Sequence, residues 1–289
     1  MILRLCTLAF GAALLPAPGA ARATRVAATI PPLADIVRQV AGDTVDVIAI
    51  LPPGASPHTF EPTPGTVRRL AGARAVFLIG YGVDDWAADL ARAAGAGPLT
   101  RVDAGIPLRR IPGDRGEGGS VDPHYWLSCV NARRIAATVA ERLAALLPER
   151  AAQLASRREA YARELDAADL EIRSLLASLP RRDIATFHDG FRYFAAAYNL
   201  NIVAVFEASP GREPGPRFVR EFQSAVARTG VRVVFSEPQL SVDALRPIAR
   251  DLHVTLSILD PLGGVPGRES FLDLMRFNAR QVRDALRAR

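Results

Sequence analysis

Residues 149–179 read ERAAQLASRREAYARELDAADLEIRSLLASL, a run with no glycine and with proline only at its flanks, Pro148 and Pro180. Leu154, Tyr161, Leu165, Ala168, Ile172, Leu175 and Leu179 recur at helical steps, which places one apolar stripe along a single helix. Glu159 with Arg163 and Asp169 with Arg173 stand four apart with the acid first, the favourable order for helix pairs. Thirty-one residues at 1.5 Å each span roughly 46 Å, about the width of a domain. A stripe of that length can pack on two bodies at once, so the segment predicts a strut rather than a flexible linker, and it restrains hinge closure.

On both sides of this strut the pattern changes to short runs rich in valine and isoleucine. Val26–Ile30, Val45–Leu51, Ala75–Ile79 and Leu99–Val102 are strand candidates before it; Ile184–Phe187, Ile202–Phe206, Val231–Ser236 and Val254–Leu259 follow it. Several are continuous rather than alternating, as expected of parallel strands covered on both faces. The fold class is therefore α/β: two lobes, each a small, mostly parallel four-stranded sheet flanked by helices, joined by one long rigid helix. The boundaries expected are a signal peptide over 1–23, a first lobe over 24–147, the linking helix over 148–179 and a second lobe over 180–289.

The leader is read from Arg4, the apolar segment Leu5–Leu15 and the small-x-small triplet Ala21-Arg22-Ala23, the anatomy of a cleavable secretory signal. Its removal leaves a net charge of +4 and a lone thiol, Cys129, with no cysteine framework. The periplasm is the expected compartment. All 36 basic residues are arginine; with no lysine there is no P-loop amine and no Schiff base. The basic residues are interleaved with 30 acidic ones and lack the aromatic interleaving that stacks bases, so nucleic acid is excluded as a partner.

The chemistry lies with the histidines. His58 sits in the proline-stiffened loop Leu51-Pro-Pro-Gly-Ala-Ser-Pro-His-Thr-Phe-Glu-Pro-Thr-Pro64, just after a strand. His124 sits in Asp122-Pro-His-Tyr-Trp-Leu127, where Asp122 and Pro123 suit the start of a helix. His188 ends a strand, with Asp189 placed as a helix cap, and Asp260 closes another strand in Leu259-Asp-Pro-Leu-Gly-Gly264. Ligands of open α/β sheets bind beyond the carboxyl ends of the strands. Two lobes facing one another there would bring His58 and His124 against His188 and Asp260. Three imidazoles and a carboxylate make a four-coordinate set that Zn²⁺ accepts. Each residue alone also has a structural reading, as a hydrogen-bonded strand end, a cap or a turn former.

Together these motifs resemble the solute-binding components of metal-ion ABC importers, the zinc/manganese group of periplasmic binding proteins. Pro-Gly-Ala-Ser-Pro-His58-Thr-Phe-Glu-Pro, Asp122-Pro-His124-Tyr-Trp-Leu, Thr186-Phe-His188-Asp-Gly-Phe and Leu259-Asp260-Pro-Leu-Gly occur in the family's order, with Phe235-Ser-Glu237-Pro-Gln-Leu similar to a further signature. The resemblance implies His58, His124, His188 and Asp260 as metal ligands, no catalytic cofactor, a transported Zn²⁺ or Mn²⁺, a membrane permease as partner, and a monomer that is not an enzyme. Histidine at the third position favours zinc. The chain departs from the family in its 107–121 loop, which has no histidine, and at Ser128-Cys129, where Asp-Pro is common. Cys129 and His253 are expected to be structural; Glu61, Glu207 and Glu237 are candidates to orient imidazoles. Two other classes compete: an exported metallohydrolase, which needs an open metal position and a base such as Glu237, and an exported adhesin.

Overall fold

A computed structural model describes residues 23–111, 120–207 and 215–287. The leader and the stretch holding Asp114, Arg115 and Glu117 lie outside the described residues.

The first lobe runs β1 (Thr24–Ala28), α1 (Pro31–Ala41), β2 (Val45–Ala49), α2 (Pro64–Leu70), β3 (Val76–Leu78), α3 (Trp86–Ala94), β4 (Leu99–Arg101) and α4 (Cys129–Leu146). The long helix α5 (Ala151–Ala177) follows, then β5 (Asp183–His188), α6 (Arg192–Ala197), β6 (Asn201–Glu207), α7 (Pro216–Thr229), β7 (Val233–Ser236), α8 (Leu245–Asp251), β8 (Thr255–Ile258) and α9 (Phe271–Arg287). All eight expected strands form. The sheets are parallel throughout and repeat one order, β2-β1-β3-β4 and β6-β5-β7-β8. In each the order reverses beside the lobe's first strand, which opens a crevice at the carboxyl ends.

Local chemistry explains several boundaries. Pro64 opens α2 behind a reciprocal cap between Thr63 and Thr66. Two expected caps are corrected. Helix α4 begins at Cys129 with Ser128 as its cap, because the Asp122 carboxylate is engaged by His124 instead. Helix α6 begins at Arg192 without a side-chain cap, and Asp189 pairs with Arg192 at 2.6 Å.

The strut forms with one adjustment: Pro148–Arg150 makes a 3-10 turn and α5 starts at Ala151. Its buried stripe is Leu154, Tyr161, Ala162, Leu165, Ala168, Ile172 and Leu176. Leu176 joins the stripe as its fully buried member, beside Leu175, which packs partly buried against the same core, because a 3.6-residue period drifts away from a strict three-four alternation over seven turns. Asp169 and Arg173 pair at 2.6 Å, whereas Glu159 pairs with its neighbour Arg158. The helix packs on α1 and α4 of the first lobe and on α9 of the second. One continuous apolar core therefore runs from Val26 and Phe77 through Leu165 and Ile172 to Phe194 and Met275. Smaller clusters cover the outer faces of the two sheets.

Polar bonds reinforce this contact between lobes. The Asp35 carboxylate of α1 accepts the Phe271 amide at the start of α9 at 2.8 Å; burial raises its pKa. The indole of Trp126 donates to the Pro261 carbonyl at 2.8 Å, and the Tyr193 hydroxyl accepts the Arg109 amide at 2.7 Å. With core and hydrogen bonds shared, the lobes meet as one packed body.

Candidate metal centre

The crevices of the two sheets face each other, and three imidazoles fill the gap. His58 lies in the turn Pro57–Thr59 beyond β2. That turn is fixed from outside: Trp86 donates its indole N–H to the Pro57 carbonyl at 3.0 Å, and Phe60 packs edge-on against the same indole. His124 lies in the loop before α4, buried against the Trp126 ring. His188 is the last residue of β5 and is buried to the same degree.

One ligand nitrogen of each histidine lies within 4.8 Å of the other two. Nε2 of His58 and Nε2 of His124 are 3.4 Å apart. They leave a cavity of about 10 Å³, room for one water-sized sphere. The orientation of two rings is set by carboxylates. Asp122 Oδ1 takes Nδ1 of His124 at 2.8 Å and also its backbone N–H. Glu237 Oε1 takes Nδ1 of His188 at 2.9 Å. A carboxylate on Nδ1 leaves the Nε2 lone pair for a cation and raises its basicity.

Electrostatics differ between the rings. Burial, with His124 and His188 adding to it, pushes His58 down to about 3, so it stays neutral and able to ligate. Burial also works against the charged form of His188, but the Glu237 carboxylate outweighs it and the net direction is upward. Glycine at 190 lets the rings pack close: a Cβ there would stand 3.0 Å from the His188 ring and 3.4 Å from that of His124, so the rings would have to give by a few tenths of an ångström.

Asp260, the fourth expected donor, is not in the group formed by the three imidazoles. It is buried, and its Oδ1 accepts the amides of Leu262 and Gly263 and the side-chain amide of Gln239 at 2.9, 3.1 and 3.0 Å. Its Oδ2 meets Arg268 Nη1 at 3.0 Å. Asn278 of α9 clamps its backbone from both sides.

Of the three candidate orienting carboxylates, Glu237 sits on an imidazole, Glu207 is buried beside His188 in strand register, and Glu61 is exposed. His253 is exposed at a positive φ of 53° and lies outside the cluster. Cys129 is buried and takes the Tyr198 hydroxyl at 3.5 Å. The roles of Asp122, Gln239, Arg268 and Asn278 were not read from sequence. Only Asp122 carried a local signal, its place two residues before a histidine.

A family model described as the zinc-uptake complex component A, periplasmic, matches residues 26–285. The chain belongs to that family. The match spans both lobes and the strut, and the family comprises substrate-binding components of metal ABC importers rather than enzymes. The chain is 26% identical over 278 residues to the metal ABC transporter substrate-binding lipoprotein SsaB of Streptococcus sanguinis, an alignment that covers 91% of this chain and 89% of the relative. Among solved structures, a zinc-bound deletion mutant of ZnuA is 29% identical with a TM-score of 0.81, over 92% of this chain and 99% of that one. The binding protein FpvC of Pseudomonas aeruginosa, solved with Mn²⁺, is 26% identical with a TM-score of 0.80, over 92% and 98%.

Proposed function

We propose that the protein captures one divalent transition-metal ion, zinc in preference to manganese, between His58, His124 and His188 and hands it to a membrane permease. The observation that carries this reading is the convergence of three ligand nitrogens within 4.8 Å, two of them backed by carboxylates. Imidazoles suit Zn²⁺ better than the oxygen-preferring Mn²⁺. Neither solved relative decides the metal, since one is bound to zinc and the other to manganese.

The shared core supports capture by a preformed site, because little ordering remains when the ion arrives. One chain supplies every donor of the cluster, so a monomer suffices. The apolar segment before Ala21-Arg22-Ala23 supports export to the periplasm with the leader removed. Asp260, the fourth ligand that the resemblance implies, supports this reading as the second lobe's carboxylate donor once its Oδ2 exchanges the Arg268 guanidinium for the ion.

Elemental analysis of the protein purified without added metal tests the proposal. One equivalent of zinc is expected, and its loss in His188→Ala. A metal-free wild type that takes up neither Zn²⁺ nor Mn²⁺ overturns it.

A further inference from the structure

At the end of the second lobe opposite the metal cleft, a cavity of about 200 Å³ opens where α7 and α9 end and β5 and β7 begin. Three guanidiniums line it: Arg181 just before β5, Arg232 just before β7, and Arg287 at the end of α9. One carboxylate, Asp183, lines it with them, and its Oδ1 takes the side-chain amide of Asn201 at 2.8 Å rather than an arginine. Among the described residues none of the three arginines forms an ion pair. The lining therefore carries two positive charges in excess.

The first lobe, built on the same strand order, treats this corner differently. There Arg25 of β1 meets Asp46 of β2 at 3.0 Å, so the strand pair closes on an ion pair. In the second lobe the matching pair, β5 and β6, closes on Asp183 and Asn201, and the arginines stay uncompensated. Capping accounts for only some of this charge. Arg181 gives one N–H to the Gly230 carbonyl at 3.2 Å, and Arg287 gives one to the Ser178 hydroxyl at 2.6 Å. The first of these contacts covers a carbonyl at the C-terminus of α7 that would otherwise repel an anion. A guanidinium has five N–H donors, so most remain on each. The Arg232 side chain has no hydrogen bond among the described residues; only its backbone carbonyl is engaged, by Thr255.

We infer that this cavity is an oxyanion site that takes a phosphate group, either free inorganic phosphate or a phosphomonoester on a lipid headgroup. Guanidinium forks match phosphate oxygens two at a time. A carboxylate brings two oxygens and one charge, enough for a single fork. A phosphate group brings at least three oxygens and a charge of about −1.5 to −2 near neutral pH, which balances the excess of the lining. Asp183 begins the strand that His188 ends, so at roughly 3.3 Å per residue the two sites lie about 17 Å apart. The oxyanion site stands independently of the metal reading.

The test uses the full mature chain as wild type, Arg232→Met, Arg287→Met and Arg220→Met. Methionine keeps the apolar stem and removes the charge. Arg220 is exposed on α7 outside the cavity and controls for general charge attraction. Inorganic phosphate and acetate are titrated by calorimetry at matched ionic strength, and phosphatidylcholine vesicles with and without phosphatidic acid are tested by co-sedimentation. Wild type is expected to bind phosphate in preference to acetate. Affinity should fall about tenfold in Arg232→Met and in Arg287→Met, the size of a lost hydrogen bond to a charged group, and stay unchanged in Arg220→Met. Binding to the phosphatidic acid vesicles alone, with the same order among the variants, assigns the phosphate to a headgroup. Binding of neither probe overturns the inference. So does a loss in Arg220→Met equal to that in Arg232→Met, or acetate held as tightly as phosphate. Should Arg287→Met, which also gives up its bond to Ser178, fail to fold, Arg232→Met decides. Zinc affinity should be unchanged in Arg232→Met, and a loss there would overturn the separation of the two sites.

Discussion

The two lobes share a strand order and differ in how they hold their donors. The second lobe offers His188 from the last position of a strand, its Nδ1 fixed by Glu237 at the end of the neighbouring strand. The first lobe offers both of its histidines from loops. One of these, His124, has the same device as His188 in the Asp122 carboxylate; among the described residues, His58 has no carboxylate at hydrogen-bond distance and is the least buried of the three. The same sheet topology thus yields a donor that belongs to the sheet on one side of the cleft and, on the other, an adaptable donor on a turn tied to Trp86 through Pro57 and Phe60.

The largest effect should come from separating these two donors. His188→Ala removes a ligand and leaves Glu237 buried without its partner, so metal affinity should fall more than about a hundredfold, beyond the range for orienting residues alone. His58→Ala removes the donor that no carboxylate orients among the described residues, and water can enter this half-buried position. Its loss should be smaller than that of His188→Ala by about tenfold. Equal losses in competition titrations would break the distinction between a fixed and an adaptable half.

Next in size are the carboxylates behind the rings. Glu237→Gln and Asp122→Asn should each weaken zinc by about 10–100-fold with the fold intact, since each keeps its volume and loses the charge that holds Nδ1–H. Comparable losses would show that one device serves both lobes. A loss confined to Glu237→Gln would mean that His124 is positioned by its Trp126 contact instead.

The seam between the lobes supplies a stability test. Trp126→Phe removes the indole donor to the Pro261 carbonyl and leaves that buried acceptor unpaired. A cost of about 1–3 kcal/mol is expected in denaturant unfolding. A loss well below this range would mean that the seam is held by its apolar core alone.

Periodicity is a property of the chain's own covalent order, and what it governs was legible in the residues. The strut, the eight strands and the two-lobed division follow from period-3.6 and apolar-run patterns that each segment carries within itself. The three histidines are marked by local context instead, each ending a strand or standing in a proline-marked loop, and the convergence of their nitrogens is a tertiary fact that no such context carries. Two helix caps were misplaced for a different reason: Asp122 and Asp189 have the right residue type for capping, but His124 and Arg192 compete for their oxygens across two or three residues. The engagement of Asp260 was illegible for a third. It depends on Gln239, 21 residues away, and on a glycine-rich turn that returns Arg268 to it, a tertiary arrangement with no periodic signature.

The smallest expected effect lies at Cys129, one residue past the cap of α4 and beside both lobes. Its thiol takes the hydroxyl of Tyr198, which belongs to the second lobe, and burial pushes its pKa up to about 12. A group raised so far stays protonated through pH 8, and the thiolate, the form that ligates metals and attacks disulfide reagents, is not populated there. Native protein should therefore leave a thiol-reactive dye unconsumed at pH 8 and react with one equivalent after unfolding. Cys129→Ser should bind zinc as wild type does, since the sulfur lies outside the group of imidazole donors. Loss of metal in this variant would give the first lobe a third donor and reverse its standing as the adaptable half.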